Sequence, residues 1–136
     1  MVTDEVMIQV GRLDHLVNLH VLGPRLTNAG FVPLRNLKRM RSLRIGPFAG
    51  TGDVLANLSE MSELVELWLD LKLNDTDLAH LSCLKSLETL DFSSRGLGDP
   101  GMVHLSQLSR LKRLNFNSGG VSEAGLKELA KLGRLE

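Results

Sequence analysis

An α/β solenoid, built from a short unit of strand and helix repeated along the chain, is the fold class that these 136 residues predict. Two observations carry that reading: a constant period, and a change of periodicity inside each period. The segments LVNLHV (Leu16 to Val21), MRSLRI (Met40 to Ile45), LVELWL (Leu64 to Leu69), LETLDF (Leu87 to Phe92) and LKRLNF (Leu111 to Phe116) align, and Leu135 opens a sixth. Their first residues are 24, 24, 23, 24 and 24 apart, a regularity that an ordinary leucine-rich helical bundle does not require. A second unit follows each: LTNAGFVPLRNL, GTGDVLANLSEM, LNDTDLAHLSCL, LGDPGMVHLSQL and VSEAGLKELAKL, with the opening TDEVMIQVGRL (Thr3 to Leu13) matching it.

The first unit ends on two apolar residues spaced by two, which is strand periodicity. The second repeats its apolar residues every three, which is helical or 3₁₀ periodicity. Neither piece can bury its apolar side alone, so neighbouring units must stack, with parallel strands on one side and helices on the other. Thr27, Asn28, Asp75, Asp99 and Ser122 stand where helices begin and are expected to cap them, because their side-chain oxygens accept from free backbone N–H groups. Pro33 lacks an N–H to donate, which predicts a helix start or a 3₁₀ turn beside it.

These residues resemble the leucine-rich-repeat family, whose L-x-x-L-x-L segment is followed by a variable convex stretch. The 24-residue form is similar to a subtype found in bacterial repeat proteins, and the resemblance runs from Thr3 to Leu135. It implies a concave parallel β-sheet with short helices on the convex side. One departure stands out. The family places Asn, Cys or Thr three residues after the last leucine, and here that column reads Pro24, Phe48, Lys72, Arg95 and Gly119, which predicts that the buried polar ladder is missing.

The chain is read as one solenoid over residues 1–136: a partial repeat at 1–15, repeats starting near 16, 40, 64, 87 and 111, and a partial repeat at 135–136. Both ends fall within repeats, so the expectation is a segment of a longer protein. Val6, Val10, Leu13, Leu132 and Leu135 are then expected to form exposed apolar strips open to end-to-end self-association.

With 43% hydrophobic and 24% charged residues the composition is that of a globular protein, and 4% aromatic content calls for a core of many similar aliphatic contacts. Cys83 is the single cysteine, which excludes a disulfide-stapled scaffold and favours the cytoplasm. No stretch reads as a signal peptide or a membrane span: Asp4, Glu5, Arg12 and Asp14 interrupt the N-terminal region. Acidic and basic residues balance at 16 each but are segregated. Residues 15–52 hold six basic residues and no acid, whereas 53–91 hold nine acids against Lys72 and Lys85.

Strand alternation with the leucines inward leaves the intervening residues on the concave face. Its central column is His20, Arg44, Trp68, Asp91 and Asn115. On one side lie Asn18, Ser42, Glu66, Thr89 and Arg113, on the other Leu22, Gly46, Asp70, Ser93 and Asn117. Trp68, the one tryptophan, occupies the middle rung where core packing does not ask for it, and with Arg44 it is the expected binding hot spot. The bland alternative is that Trp68 lies down over its neighbours as a cover. Glu66, Asp70 and Asp91 make the centre acidic, which suits a basic partner.

Chemistry finds little support. His80 and His104 recur on consecutive helices near Cys83, but nothing nearby completes a tetrahedral zinc set, so neither metal nor cofactor is expected. GPFAGTG (Gly46 to Gly52) lacks the lysine and hydroxyl residue of a phosphate-binding loop and reads as the loop of the second repeat. Arg25, Arg35, Lys38, Arg39, Arg41 and Arg44 are spread over loop, helix and strand, which argues against a nucleic-acid surface. The sequence thus reads as a non-catalytic protein- or peptide-binding module using the concave face: His20, Arg44, Glu66, Trp68, Asp70, Asp91, Arg113 and Asn115. The alternative reading is a structural spacer within a larger receptor or enzyme.

Overall fold

A computed structural model describes residues 2–94 and 96–136. Five strands form one parallel sheet in chain order: β1 (Asn18–Gly23), β2 (Ser42–Phe48), β3 (Glu66–Leu69), β4 (Thr89–Ser93) and β5 (Arg113–Asn117). Each is followed on the other side of the molecule by helical structure: α2 (Asn28–Phe31), α3 (Asp75–Ala79), α4 (Asp99–Leu105) and α5 (Glu123–Leu129), with α1 (Asp4–Val10) ahead of β1. This is the leucine-rich-repeat solenoid. The second repeat departs from the strand-and-helix rule, having only a 3₁₀ segment, Gly52–Leu58. A 3₁₀ segment at Val32–Asn36 continues α2 with Pro33 in its first turn, where the missing N–H goes unclaimed.

The period sets the register. Leu43 pairs with Leu67, Leu67 with Leu90 and Leu90 with Leu114, so identical side chains stack from rung to rung. Leu43, Leu67 and Leu90 are fully buried, as are the second-unit residues Leu34, Leu58, Leu81 and Leu105 that meet them from the helical side. At the end strands the same rows are only half-buried, at Leu19, Leu114 and Phe116, because a neighbour covers one side alone. Val6, Leu13 and Leu135 are exposed as expected of the ends, whereas Val10, expected with them, is half-buried against the core. Leu132, expected to be exposed, is instead buried at 6%: the turn in which the Leu135 N–H donates to the Leu132 carbonyl folds it onto the core.

Capping follows a different division of labour from the expected one. Thr27 and Ser122 are N-caps, accepting from the Ala29 and Ala124 N–H groups. Asn28, Asp75 and Asp99 stand one residue further in and bond between repeats. The Ser122 N–H and hydroxyl donate to Asp99 at 2.8 and 2.6 Å, and the Gly98 and Gly101 N–H groups donate to Asp75 at 3.0 and 3.1 Å. Asp4 accepts from the Thr27 N–H and hydroxyl at 3.0 and 2.7 Å in the same way. The bonds from Thr27 hold the Asp4 carboxyl below its ordinary range, and the Ser122 hydroxyl does the same for Asp99. A Cβ added at Gly30, Gly101 or Gly125 would overlap these carboxylates, so glycine there makes room for the ladder.

At one joint the ladder is inverted. Gly52 stands where the other repeats carry Asp, Asn or, in the last, Glu123, and the niche beside it is filled from the next repeat by Asp77, itself buried at 5%. Asp77 accepts from the Asn74 N–H at 2.8 Å, and the Asn74 side chain accepts from the Asp77 N–H at 3.0 Å, closing a capping box on α3.

The buried polar ladder thought missing is present in the last two repeats, one residue earlier than expected. The Ser94 hydroxyl donates to the Leu73 carbonyl and the Ser118 hydroxyl to the Leu97 carbonyl. The corresponding residues of the earlier repeats, Gly23, Pro47 and Leu71, have no hydroxyl to offer. Arg95, in the column first examined, lies outside the described residues.

Candidate functional site

Register brings the expected face together. His20 pairs with Arg44, Arg44 with Trp68, Trp68 with Asp91 and Asp91 with Asn115, so the central column is a continuous row across all five strands. The flanking row Ser42, Glu66, Thr89 and Arg113 is likewise in register. Asp70 lies just past the end of β3, tied to β2 by its N–H donating to the Ile45 carbonyl at 2.9 Å.

The residues are not equivalent. His20, Arg44, Trp68, Asp70 and Asp91 line one open cavity of about 250 Å³ together with Leu22, Gly46 and Pro47. Glu66, Arg113 and Asn115 do not line it. Arg113 instead donates to the Thr89 hydroxyl at 3.3 Å, and Asn115 donates to Asp91 Oδ2 at 2.9 Å, which orients that carboxylate. Among the described residues, neither Glu66 nor Asp70 accepts a hydrogen bond from a side chain.

Trp68 is half-buried, and Arg44 lies over its ring with the guanidinium carbon 5.6 Å from the centroid, inside the range of a cation–π contact. The two expected hot-spot residues therefore already touch each other. Trp68 is thus partly covered and partly open to solvent.

Gly46, placed by the sequence both in the concave column beside Leu22 and at the start of a glycine-rich loop, belongs to β2, which runs on to Phe48 and pairs it with Gly23 across a bulge. Residues 46–48 are thus strand, and only the remainder of GPFAGTG is loop. A Cβ at Gly46 would collide with the Leu22 side chain, which leans over it. The Leu22 side chain thus takes the space that a side chain at Gly46 would need, and both residues line the cavity. The available signal was a glycine in a column otherwise occupied by Leu22, Asp70, Ser93 and Asn117.

The other candidates stay apart. Arg35 donates to Asn57 at 3.0 Å and Lys38 sits 3.7 Å from Glu60, so two of the basic residues are engaged on the helical side. His80 and His104 do not converge with Cys83: no group of three or more His, Cys, Asp and Glu able to hold a metal ion occurs among the described residues. No helix among them is long and apolar enough to cross a membrane.

Solved structures similar to this chain share its fold. An internalin C2 from Listeria monocytogenes aligns over 94% of the chain and 53% of its own length, with TM-score 0.76 and 22% identity. An internalin (inlF) from the same organism aligns over 95% of the chain and 49% of its own, with TM-score 0.53 and 17% identity. The plant peptide hormone receptor RGFR1, in complex with RGF2, aligns over 92% of the chain and 24% of its own, with TM-score 0.54 and 17% identity. The chain therefore spans about half the length of the internalins it resembles. No family model and no curated protein matches the sequence.

Proposed function

We propose that this solenoid is a non-catalytic module that binds a protein or peptide segment across its concave sheet, with Trp68 as the central anchor. One observation carries the reading: a row of polar and aromatic side chains in register, opening at its middle into a cavity that the packing of the core does not require. Strand spacing of about 4.8 Å makes five rungs a strip roughly 20 Å wide, the breadth of a peptide or a small protein patch. A plant peptide hormone receptor of the same fold, in complex with RGF2, supports the reading by analogy of fold. Acidic Glu66, Asp70 and Asp91 favour a basic partner.

A displayed library of random peptides selected on the chain tests it. Selected peptides should lose about 2 kcal/mol of affinity on Trp68→Ala and nothing on Lys127→Ala, which lies exposed on the helical side. Equal losses on both faces, or no enrichment at all, would overturn the reading.

A further inference from the structure

We propose that the cavity between Leu22, Trp68, Asp70 and Asp91 takes the cationic end of a lysine or arginine side chain of the partner, and that Arg44 holds that cation's place on Trp68 until the partner arrives. The inference rests on the sheet face being the binding surface and adds what its centre recognises.

The ring of Trp68 already receives a cation. Arg44 reaches it from the paired rung of the neighbouring strand, with 5.6 Å between guanidinium carbon and ring centroid. Such a contact at an exposed site is worth only about 0.5–1 kcal/mol, so an incoming cation with more partners displaces it. The cavity supplies those partners. Asp70 and Asp91 stand on its rim, and only one oxygen of Asp91 is engaged by a side chain, that of Asn115. The two carboxylates of the lining outnumber its one guanidinium, and a neutral or anionic guest leaves that excess unanswered.

Shape narrows the guest further. Leu22, which lies over Gly46 and is more than half exposed, and Pro47 supply apolar lining. These suit the methylene stem that lysine and arginine place against apolar surface while the charged end stays at a polar rim. At about 250 Å³ the cavity falls below the roughly 300–1,000 Å³ of sites for drug-sized ligands. It holds one side chain. Arg44, expected from the sequence to touch the partner, becomes in this reading its competitor.

N-acetyl-arginine amide, N-acetyl-lysine amide and the neutral N-acetyl-citrulline amide are titrated into the protein, and the indole N–H resonance of Trp68, the one tryptophan, is followed. Both cations should shift it saturably and citrulline should not. Asp70→Asn combined with Asp91→Asn should weaken the cations about fivefold. Arg44→Ala should tighten them about threefold by removing the competitor. An equal response to citrulline overturns the proposal, as does weakening on Arg44→Ala, which would make Arg44 a contact. Failure here is separable from failure of the wider reading: library peptides lost on Trp68→Ala, with no response to the free cations, would leave the binding face standing without a central cation subsite.

Discussion

The inverted joint between the second and third repeats offers the sharpest test of how the solenoid is held together. Elsewhere an Asp or Asn at the start of one repeat's helical segment bonds the start of the next. Where Asp4, Asp75 or Asp99 does so, glycine in the receiving repeat clears the space. At Gly52 the two roles are exchanged, with Asp77 supplying the carboxylate. Asp77→Gly removes the acceptor of a part-buried N–H, costing about 1 kcal/mol, and adds a helix glycine, costing about 1 more. Gly52→Asp alone drives a second carboxylate into occupied space and dislodges Asp77 from the Asn74 N–H, for about 2–3 kcal/mol. Combined, the two substitutions rebuild the arrangement in which Asp75 accepts from Gly98 and Gly101. The double variant should therefore lie about 1 kcal/mol below the parent, a coupling of about 3–4 kcal/mol, at or just above the upper end for residues in contact. Urea midpoints of the four proteins, at unchanged slope, give the cycle. A double variant destabilised by the sum of the single losses would refute the idea that the two positions share one niche.

Acid should weaken the same ladder. Asp4, Asp99 and Glu88 all sit below their ordinary range, the first two through bonds from Thr27 and Ser122 and Glu88 through the hydrogen bond from Lys112 at 2.7 Å. Carboxyls depressed in the folded state contribute stability that is full above about pH 4.5 and lost as pH falls through the lowered values. Urea midpoints should drop below about pH 4, and less steeply in Asp99→Asn. The ends should be the weakest part: amides near Val6 and Leu135 should exchange faster than those at Leu67 and Leu90, and light scattering should show self-association at high concentration. A strictly monomeric chain protected equally throughout would contradict this. Leu67→Ala, at a fully buried central position, should cost about 3–4 kcal/mol, against under about 1 for Leu126→Ala, which is 54% exposed at the C-terminal end. If a basic partner is steered by Glu66, Asp70 and Asp91, added salt should slow association while barely changing dissociation, and a salt-independent on-rate would count against steering.

The repeat was legible because its cause is local and iterated. Leucines spaced by two and then by three specify a strand and a helix, and the recurrence at 24 residues fixes which rung lies beside which. From that alone the row His20, Arg44, Trp68, Asp91 and Asn115 could be written down, and the strand register reproduces it. Pro33 announced its 3₁₀ turn in the same way, through a missing N–H that no context can restore.

What the tertiary structure alone decided concerns contacts between repeats, which depend on pairs of residues about 24 positions apart and not on any one motif. Asn28, Asp75 and Asp99 looked like caps because cap-forming residues and the residue following them share a composition, and only the stacked neighbour reveals that they bond the next repeat. Ser94 and Ser118 took up a ladder one position away from the expected column, because the direction of the turn, which no residue type dictates, chooses which side chain faces inward. Gly46 could be placed in the concave column, but only the packing shows the Leu22 side chain lying across it. A cavity is the space that several rungs jointly leave empty, so the sequence determined the rows of this protein while packing between the rows determined where its surface opens.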